Sequence, residues 1–201
     1  LRFLIDKAKQ ANMPAENVKR AIAKGTGDLE GADFTEMLYE GYGPGGVALL
    51  IEVLTDNINR AASEIRYIFS KNGGSLGAPG GVAWLFDKRG QILLDAGTMS
   101  EDDLLGVALE AGVDDIVQEG DFFEVTCEPS DFLDVKQAFD DAGVTYESAE
   151  VVRIPQTTVK VEGSQAKQVL RLVEKLEDND EVENVYANFD IDDEVMEEME
   201  T

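Results

Sequence analysis

The sequence predicts an α/β (α+β) protein: a helical N-terminal hairpin followed by two ferredoxin-like α/β units, one inserted in the other. Three observations predict it. Short apolar runs and helical stripes alternate from residue 34 onward. The order over residues 90–152 is βαββαβ. Strand–helix–strand stretches at about 47–86 and 157–191 flank that segment and can join across it. The expected division is residues 1–27, the C-terminal part of a helical domain; 34–88 with 155–201, a discontinuous α/β domain; and 89–154, an inserted acidic domain.

At the front, Leu1, Leu4/Ile5 and Ala8 are spaced as one helix face. Asn12 ends that helix, and Pro14 suits the first turn of the next. Val18, Ala21 and Ile22 form the second stripe, and Gly25 its end. Leu1 is not Met and falls in what reads as mid-helix, so a preceding segment is expected. Residues 28–33 read as a linker. Glu36–Gly41 and Val47–Leu54 read as strands. Thr55 or Asp56 is the expected cap of a helix over 57–71, with Ile58, Ala61/Ala62, Ile65 and Ile68/Phe69 inward and Asn72-Gly73-Gly74 as its stop. Val82–Phe86 is the next expected strand.

Gly90–Leu94 opens the insert as a strand. Ser100 with Asp103 reads as a capping-box start of a helix that stops at Gly112. Asp115–Gln118 and Phe122–Cys127 flank Glu119-Gly120-Asp121, a hairpin signal. Ser130 is the expected cap of a helix ending at Gly143, and Tyr146–Val152 returns as a strand. In the tail, Thr157–Val161 reads as a strand. Ser164 caps a helix with Ala166, Val169/Leu170, Val173 and Leu176 inward, and Val182–Ile191 is a strand. The acidic end, Asp190–Glu200, reads as frayed.

Composition narrows the chemistry. The chain has no histidine and a single cysteine, Cys127, which excludes a disulfide framework, a Ser-His-Asp triad and His-ligated zinc, and suits a reducing compartment. Cys127 reads as a small buried residue. No apolar run reaches membrane-spanning length. The net charge of −25, from 42 acids and 17 bases, is unevenly spread. Residues 1–27 carry Arg2, Lys7, Lys9, Lys19, Arg20 and Lys24 against Asp6 and Glu16, a net of +4; residues 90–154 carry 17 acids against Lys136 and Arg153, a net of −15.

Gly41–Gly46, GYGPGG, matches the dinucleotide fingerprint letter for letter, but the fingerprint needs a helix N-terminus after the glycines. Here a strand follows, and Pro44 removes an amide. No Gly-Lys-Ser/Thr follows either, so no nucleotide loop and no cofactor are expected. Tyr42, Gly43, Pro44, Gly45 and Gly46, like Gly73–Gly81, read as turns, or as the lining of a groove where backbone approaches a partner. Acid pairs such as Asp102/Asp103 and Asp114/Asp115 have no recognisable catalytic spacing, and those at helix starts answer the macrodipole. Neither an enzyme nor a metal site is expected.

The run YEGYGPGGVALLIEVLTDNINRAASEIRYIFSKNGGSLGAPGGVAWLFDKRG resembles the central signature of the YebC/PmpR family. IDKAKQANMPAENVKRAIAKGTGDLEG is similar to the family's helical region, and AGVTYESAEVVRIP and LEDNDEVENVYANFDI to its C-terminal half, so the likeness spans essentially the whole chain. There are two departures. The family's basic opening around Gly-His-Ser-Lys-Trp is absent, and the family's Asp-Asn-Arg-Asn-Arg is Asp56-Asn57-Ile58-Asn59-Arg60 here. The resemblance implies three domains, with the two α/β domains around a cleft. It also implies a non-enzymatic regulator of gene expression, either a DNA-binding transcriptional regulator or a ribosome-associated translation factor that helps proline-rich nascent chains.

The expected function is therefore a nucleic-acid-binding regulator of the transcriptional kind, with a translation factor on ribosomal RNA, or a protein-interaction module without nucleic acid, as alternatives. Candidate phosphate contacts are Arg2, Lys7, Lys9, Lys19, Arg20 and Lys24, extended by Arg60, Arg66 and Lys71. Lys167, Arg171 and Lys175 align at i, i+4, i+8, but with Glu174 and Glu177 beside them they read as a solvent face. The second front helix offers few base-reading side chains, which leans the physics towards RNA. The acidic insert suits a basic protein partner. The expected location is the cytoplasm, or the mitochondrion for a eukaryotic chain.

Overall fold

A computed structural model of the chain describes Lys19, Ile22 and residues 34–191. The front hairpin and the acidic end expected from the sequence lie outside the described residues, apart from Lys19 and Ile22, which are helical, and Asp190 and Ile191. The described residues form two units, 34–85 with 155–191, and 86–154.

In the first unit, β1 (Thr35–Tyr42) and β2 (Ala48–Thr55) pair antiparallel from Thr35↔Thr55 to Tyr42↔Ala48. β2 is nearly all apolar and nearly all buried, as a central strand must be. Asn57, not Thr55 or Asp56, caps α1 (Ile58–Lys71), its side chain accepting from the Arg60 amide (3.1 Å). Thr55 is unavailable for capping because its hydroxyl accepts from Asn57 N and donates to Glu181. The helix ends at Asn72, as expected, and β3 (Ser75–Leu76) then pairs with the end of β1.

No strand forms over Val82–Phe86. Ala83–Leu85 is a single 3-10 turn, and one long strand, β4 (Phe86–Asp95), takes in the segment expected to begin at Gly90. The reason is a long-range bond: the amides of Val82 and Ala83 are bonded to the Glu40 carboxylate and cannot join a ladder.

The second unit continues with α2 (Glu101–Ala111), β5 (Asp115–Glu119), β6 (Phe122–Cys127), α3 (Phe132–Asp141) and β7 (Ser148–Pro155), the last residue of which belongs to the first unit. Its sheet order, β5-β6-β4-β7, is the ferredoxin-like arrangement of a βαββαβ chain. Ser100 caps α2 as expected, and Gly112 ends it in the left-handed region. Ser130 does not cap α3: Asp131 holds that position without a side-chain cap, and the Ser130 hydroxyl donates to the Asp131 carboxylate. Ile92, Leu94, Phe123, Val125 and Cys127 from the strands meet Leu104, Ala108, Phe132, Val135 and Phe139 from the helices in a buried core. Each such large side chain contributes roughly 1.5–3 kcal/mol by its burial.

The chain then completes the first unit with β8 (Val159–Lys160), α4 (Gly163–Glu177), β9 (Val182–Ala187) and β10 (Phe189–Asp190). α4 starts one residue before Ser164, with Glu162 at the cap position. β9 pairs antiparallel with β2, giving the order β3-β1-β2-β9, while β10 and β8 form a separate parallel pair. The single strand expected over 182–191 is therefore two. Asn188, buried between them, accepts from the Ala48 amide (2.7 Å) and donates to the Thr157 carbonyl (3.1 Å), which turns the chain from one sheet to the other. α1 and α4 lie on one face of the sheet. Ala61, Ile65 and Phe69 meet Ala166, Val169, Leu172 and Leu176 over Leu49, Ile51 and Val53.

Candidate nucleic-acid interface

α1 and α4 each bury one stripe against the sheet, so their outer flanks form the walls of a groove of about 630 Å³. Tyr67, Ile68, Lys71, Asn72 and Gly73 line one wall, and Gln168, Arg171 and Lys175 the other. The walls are tied by Asn179, past the end of α4, which donates to Glu64 midway along α1 (3.0 Å). Lys71 stands over the exposed Tyr67 ring at 5.6 Å. Lys175 pairs with Asp178 (2.7 Å) and is close to Glu174 (3.7 Å), which raises its pKa. Lys71 and Arg171 have no carboxylate partner among the described residues. Ile68 and the Tyr67 ring are the apolar part of the lining, and Lys71, Arg171 and Lys175 supply its cations, a set that suits an anionic chain.

The GYGPGG turn stands beside one end of the groove. Gly73 lies against it: a Cβ there would stand 3.5 Å from Pro44 Cγ. The turn has no anion cradle, because Gly43 N donates to Val47 O and Gly46 N to Gly43 O. Two of its glycines have structural causes. Gly45 is left-handed (φ 74°). A Cβ on Gly41 would come within 2.6 Å of Phe69 Cε1 and 2.8 Å of Ser75 O. Gly41 is therefore where β1 passes directly under α1.

Beside this turn, the loop from Gly77 to Ala83 is held by one side chain. Glu40 is 6% exposed. Its carboxylate accepts from Gly80 N (2.6 Å), Val82 N (2.7 Å) and Ala83 N (2.8 Å), while its carbonyl accepts from Gly77 N (2.7 Å). Burial pushes its pKa up, but the amides of Val82, Gly80, Ala83 and Gly81 outweigh burial and hold it below the ordinary carboxylate value. The loop presents Trp84, 66% exposed, next to Tyr42, 41% exposed. Trp84 Nε1 (3.0 Å) and the Tyr42 hydroxyl (3.3 Å) both donate to the Gly81 carbonyl.

The cationic residues singled out from the sequence are placed unevenly. Lys71 is in the groove, and Arg66 is exposed on α1 but does not line it. Arg60 is exposed, yet its guanidinium donates to Glu181 and to Asp56 (2.7 Å), which raises its pKa further. Lys19 is exposed on helical backbone, whereas Arg2, Lys7, Lys9, Arg20 and Lys24 lie outside the described residues. Arg171 and Lys175, read from sequence as a plain solvent face, are instead one wall of the groove. Tyr67, Gln168 and Trp84 carried no sequence signal as site residues, because exposure of an apolar ring is decided by packing.

The second unit has a different character. Arg89 pairs with Asp114 (3.1 Å) and Glu128, and Lys136 with Asp140 (2.9 Å), which also accepts from the Tyr146 hydroxyl. Cys127 is buried, and burial, then Asp114, Asp131 and Glu128, push its thiol up to about 11, so it is protonated at neutral pH. Among the described residues no group of three His, Cys, Asp or Glu side chains could hold a metal ion. No helix among them is long and apolar enough to cross a membrane.

Residues 34–189 match the family model described as the TACO1/YebC second and third domain. The chain belongs to this YebC family. A YebC relative from Syntrophobacter fumaroxidans is 55% identical over 98% of this chain and 79% of its own length. One from Rubrobacter xylanophilus is 53% identical over 99% and 80%. Both are named probable transcriptional regulatory proteins, so the YebC family is one of regulator-type proteins. The crystal structure of a conserved hypothetical protein, Aq1575, from Aquifex aeolicus is similar over 96% of this chain and 79% of that one, with a TM-score of 0.86 and 43% identity. Every residue of the groove and of the Glu40-held loop falls inside the matched YebC segment.

Proposed function

We propose that this YebC-family chain is a non-enzymatic, nucleic-acid-binding regulator of gene expression, of the transcriptional kind that its relatives' names describe. The observation that carries the reading is the groove between α1 and α4. In a chain of net charge −25, Lys71, Arg171 and Lys175 converge on one concave surface. Phosphates are the polyanion such a surface suits, and their binding releases counterions. Lys19 and the other front-end cations would extend the contact. Ribosomal RNA is the competing target, with translation as the process, and the cytoplasm, or the mitochondrion of a eukaryote, is the proposed place of action. No cofactor is invoked.

The test is fluorescence anisotropy of the intact chain with labelled duplex DNA and with a labelled ribosomal RNA fragment across a salt series. Charge reversal at Lys71→Glu and Arg171→Glu together should weaken binding at least about tenfold and lower the salt slope by about 2. Lys88→Glu, on the other unit, should change neither. Unaltered binding by the double variant would remove the groove from the interface. Whichever nucleic acid binds more tightly at about 0.15 M salt decides between transcription and translation.

A specific observation favours a second, compatible reading, a basic protein partner at the acidic unit. Both its helices pack on the Ile92, Leu94, Phe123 and Val125 side of the sheet, so the alternate residues face away from them. That face carries the exposed Val117 and Phe122 among Asp115, Glu119 and Glu124. It repels phosphate and suits lysine- or arginine-rich protein.

A further inference from the structure

We propose that the groove between α1 and α4 takes an unpaired strand of nucleic acid rather than a duplex, with Tyr67 as the stacking face for one of its bases. The inference rests on the reading of the groove as a phosphate-binding surface and names the ligand class of that same site. Its basis is the order of the lining residues along the groove.

The two helices run antiparallel. At one end Gly73, just past α1, lies beside Gln168, in the first turns of α4: a Cβ on Gly73 would stand 3.9 Å from Gln168 Oε1. At the other end Asn179, past α4, donates to Glu64 on α1 (3.0 Å). Between these two fixed points the register brings Lys71 level with Arg171. It brings Tyr67 level with Lys175 one turn further on, about 6 Å away at 1.5 Å per residue.

The two levels differ in charge. Lys71 and Arg171 stand on opposite walls with no carboxylate partner among the described residues. Lys175 is committed to Asp178 (2.7 Å), with Glu174 close by (3.7 Å), and the Glu64 carboxylate lies further along the same direction. Phosphate is therefore favoured between Lys71 and Arg171 and disfavoured past Tyr67. What the Tyr67 level offers instead is a ring. It is 61% exposed even with Lys71 Nζ at 5.6 Å from its centroid.

A cationic pair followed, one turn away, by an exposed aromatic face suits a nucleotide whose phosphate and base are both accessible. That is the state of an unpaired strand. A duplex keeps its base faces in its own stack, so it gains nothing from Tyr67 and is left with the phosphate contacts alone.

The intact chain would be titrated by fluorescence anisotropy with a labelled single-stranded oligonucleotide, as RNA and as DNA. The corresponding duplexes and an abasic strand of the same length complete the set. The single strand should bind roughly tenfold or more tightly than the duplex or the abasic strand. Tyr67→Ala should lower single-strand affinity roughly tenfold, to the level of the abasic strand, with the salt slope unchanged because no phosphate contact is lost. Tyr67→Phe, which keeps the ring, should bind as the parent does. Circular dichroism and the melting temperature confirm that each variant folds. Whichever of the RNA and DNA single strands binds more tightly identifies the source of the strand. A duplex bound as tightly as the single strand, or a Tyr67→Ala variant that binds as the parent does, overturns the proposal. If Lys71→Glu/Arg171→Glu still weakens binding in that case, the groove reading stands without it. If the parent binds no nucleic acid, the groove reading fails and the proposal with it.

Discussion

Glu40 is the residue on which the loop from Gly77 to Ala83 depends. Three amides point at its carboxylate, and a glutamine there could accept at only one of the two oxygen positions. Glu40→Gln should destabilise the protein by about 2 kcal/mol, because buried amide donors are left unpaired. The change should also release the Trp84 loop, seen as a loss of tryptophan anisotropy. The pH dependence has a definite sign. The folded pKa is lowered, so the contribution is fully present above the ordinary carboxylate pKa and is lost as pH falls through the lower folded value. Acid titration of stability should therefore be less steep in Glu40→Gln than in the parent. A parallel pair of acid limbs in chemical denaturation would show that the carboxylate carries no such linkage.

At the scale of elements, α1 separates its charges by end. Its start carries no free cation: Ile58 stands where the resembled motif has arginine, and Arg60 is held by Asp56 and Glu181. Its last residue, Lys71, opens on the groove, at the end where the helix dipole also favours a cation. The start is instead stabilised by the Asn57 cap. Asn57→Ala should cost about 1 kcal/mol by thermal or urea unfolding, and should leave nucleic-acid affinity unchanged because the groove lies at the other end. Arg60→Ala should likewise leave affinity unchanged. A loss of binding in anisotropy would place the interface at the wrong end of the helix.

For the whole molecule, charge asymmetry sets two opposite salt responses. Residues 90–154, with a net of −15, repel themselves in the folded state. Raising monovalent salt from low values to about 0.15 M, where the screening length is about 8 Å, should raise the melting temperature. The same change should weaken nucleic-acid binding, since counterion release drives it. Melting curves and anisotropy in one buffer series measure both. A melting temperature that falls with salt would mean that ion pairs such as Arg89 with Asp114 and Glu128 outweigh the repulsion.

By itself the sequence determined the elements whose signals are local. The Ala61, Ile65 and Phe69 stripe of α1, the Ser100 cap and Gly112 stop of α2, and the Glu119-Gly120-Asp121 hairpin depend on residues three or four apart and formed as read, whereas Ile58, expected inward, stands 45% exposed at the first position of α1. It also determined the family, because the long motifs around residues 39–90 lie within the matched segment. Tertiary structure alone decided whatever depends on a distant partner. Glu40 takes the amides forty residues on, which turned the expected 82–86 strand into a 3-10 turn. Asn188 bonds to Ala48 and so divided the last strand. Arg171 and Lys175 had the spacing of a solvent face, and they became a groove wall only because α1 lies alongside α4. Periodicity shows which side of a helix faces outward; what stands across from that side is set by packing at long sequence separation.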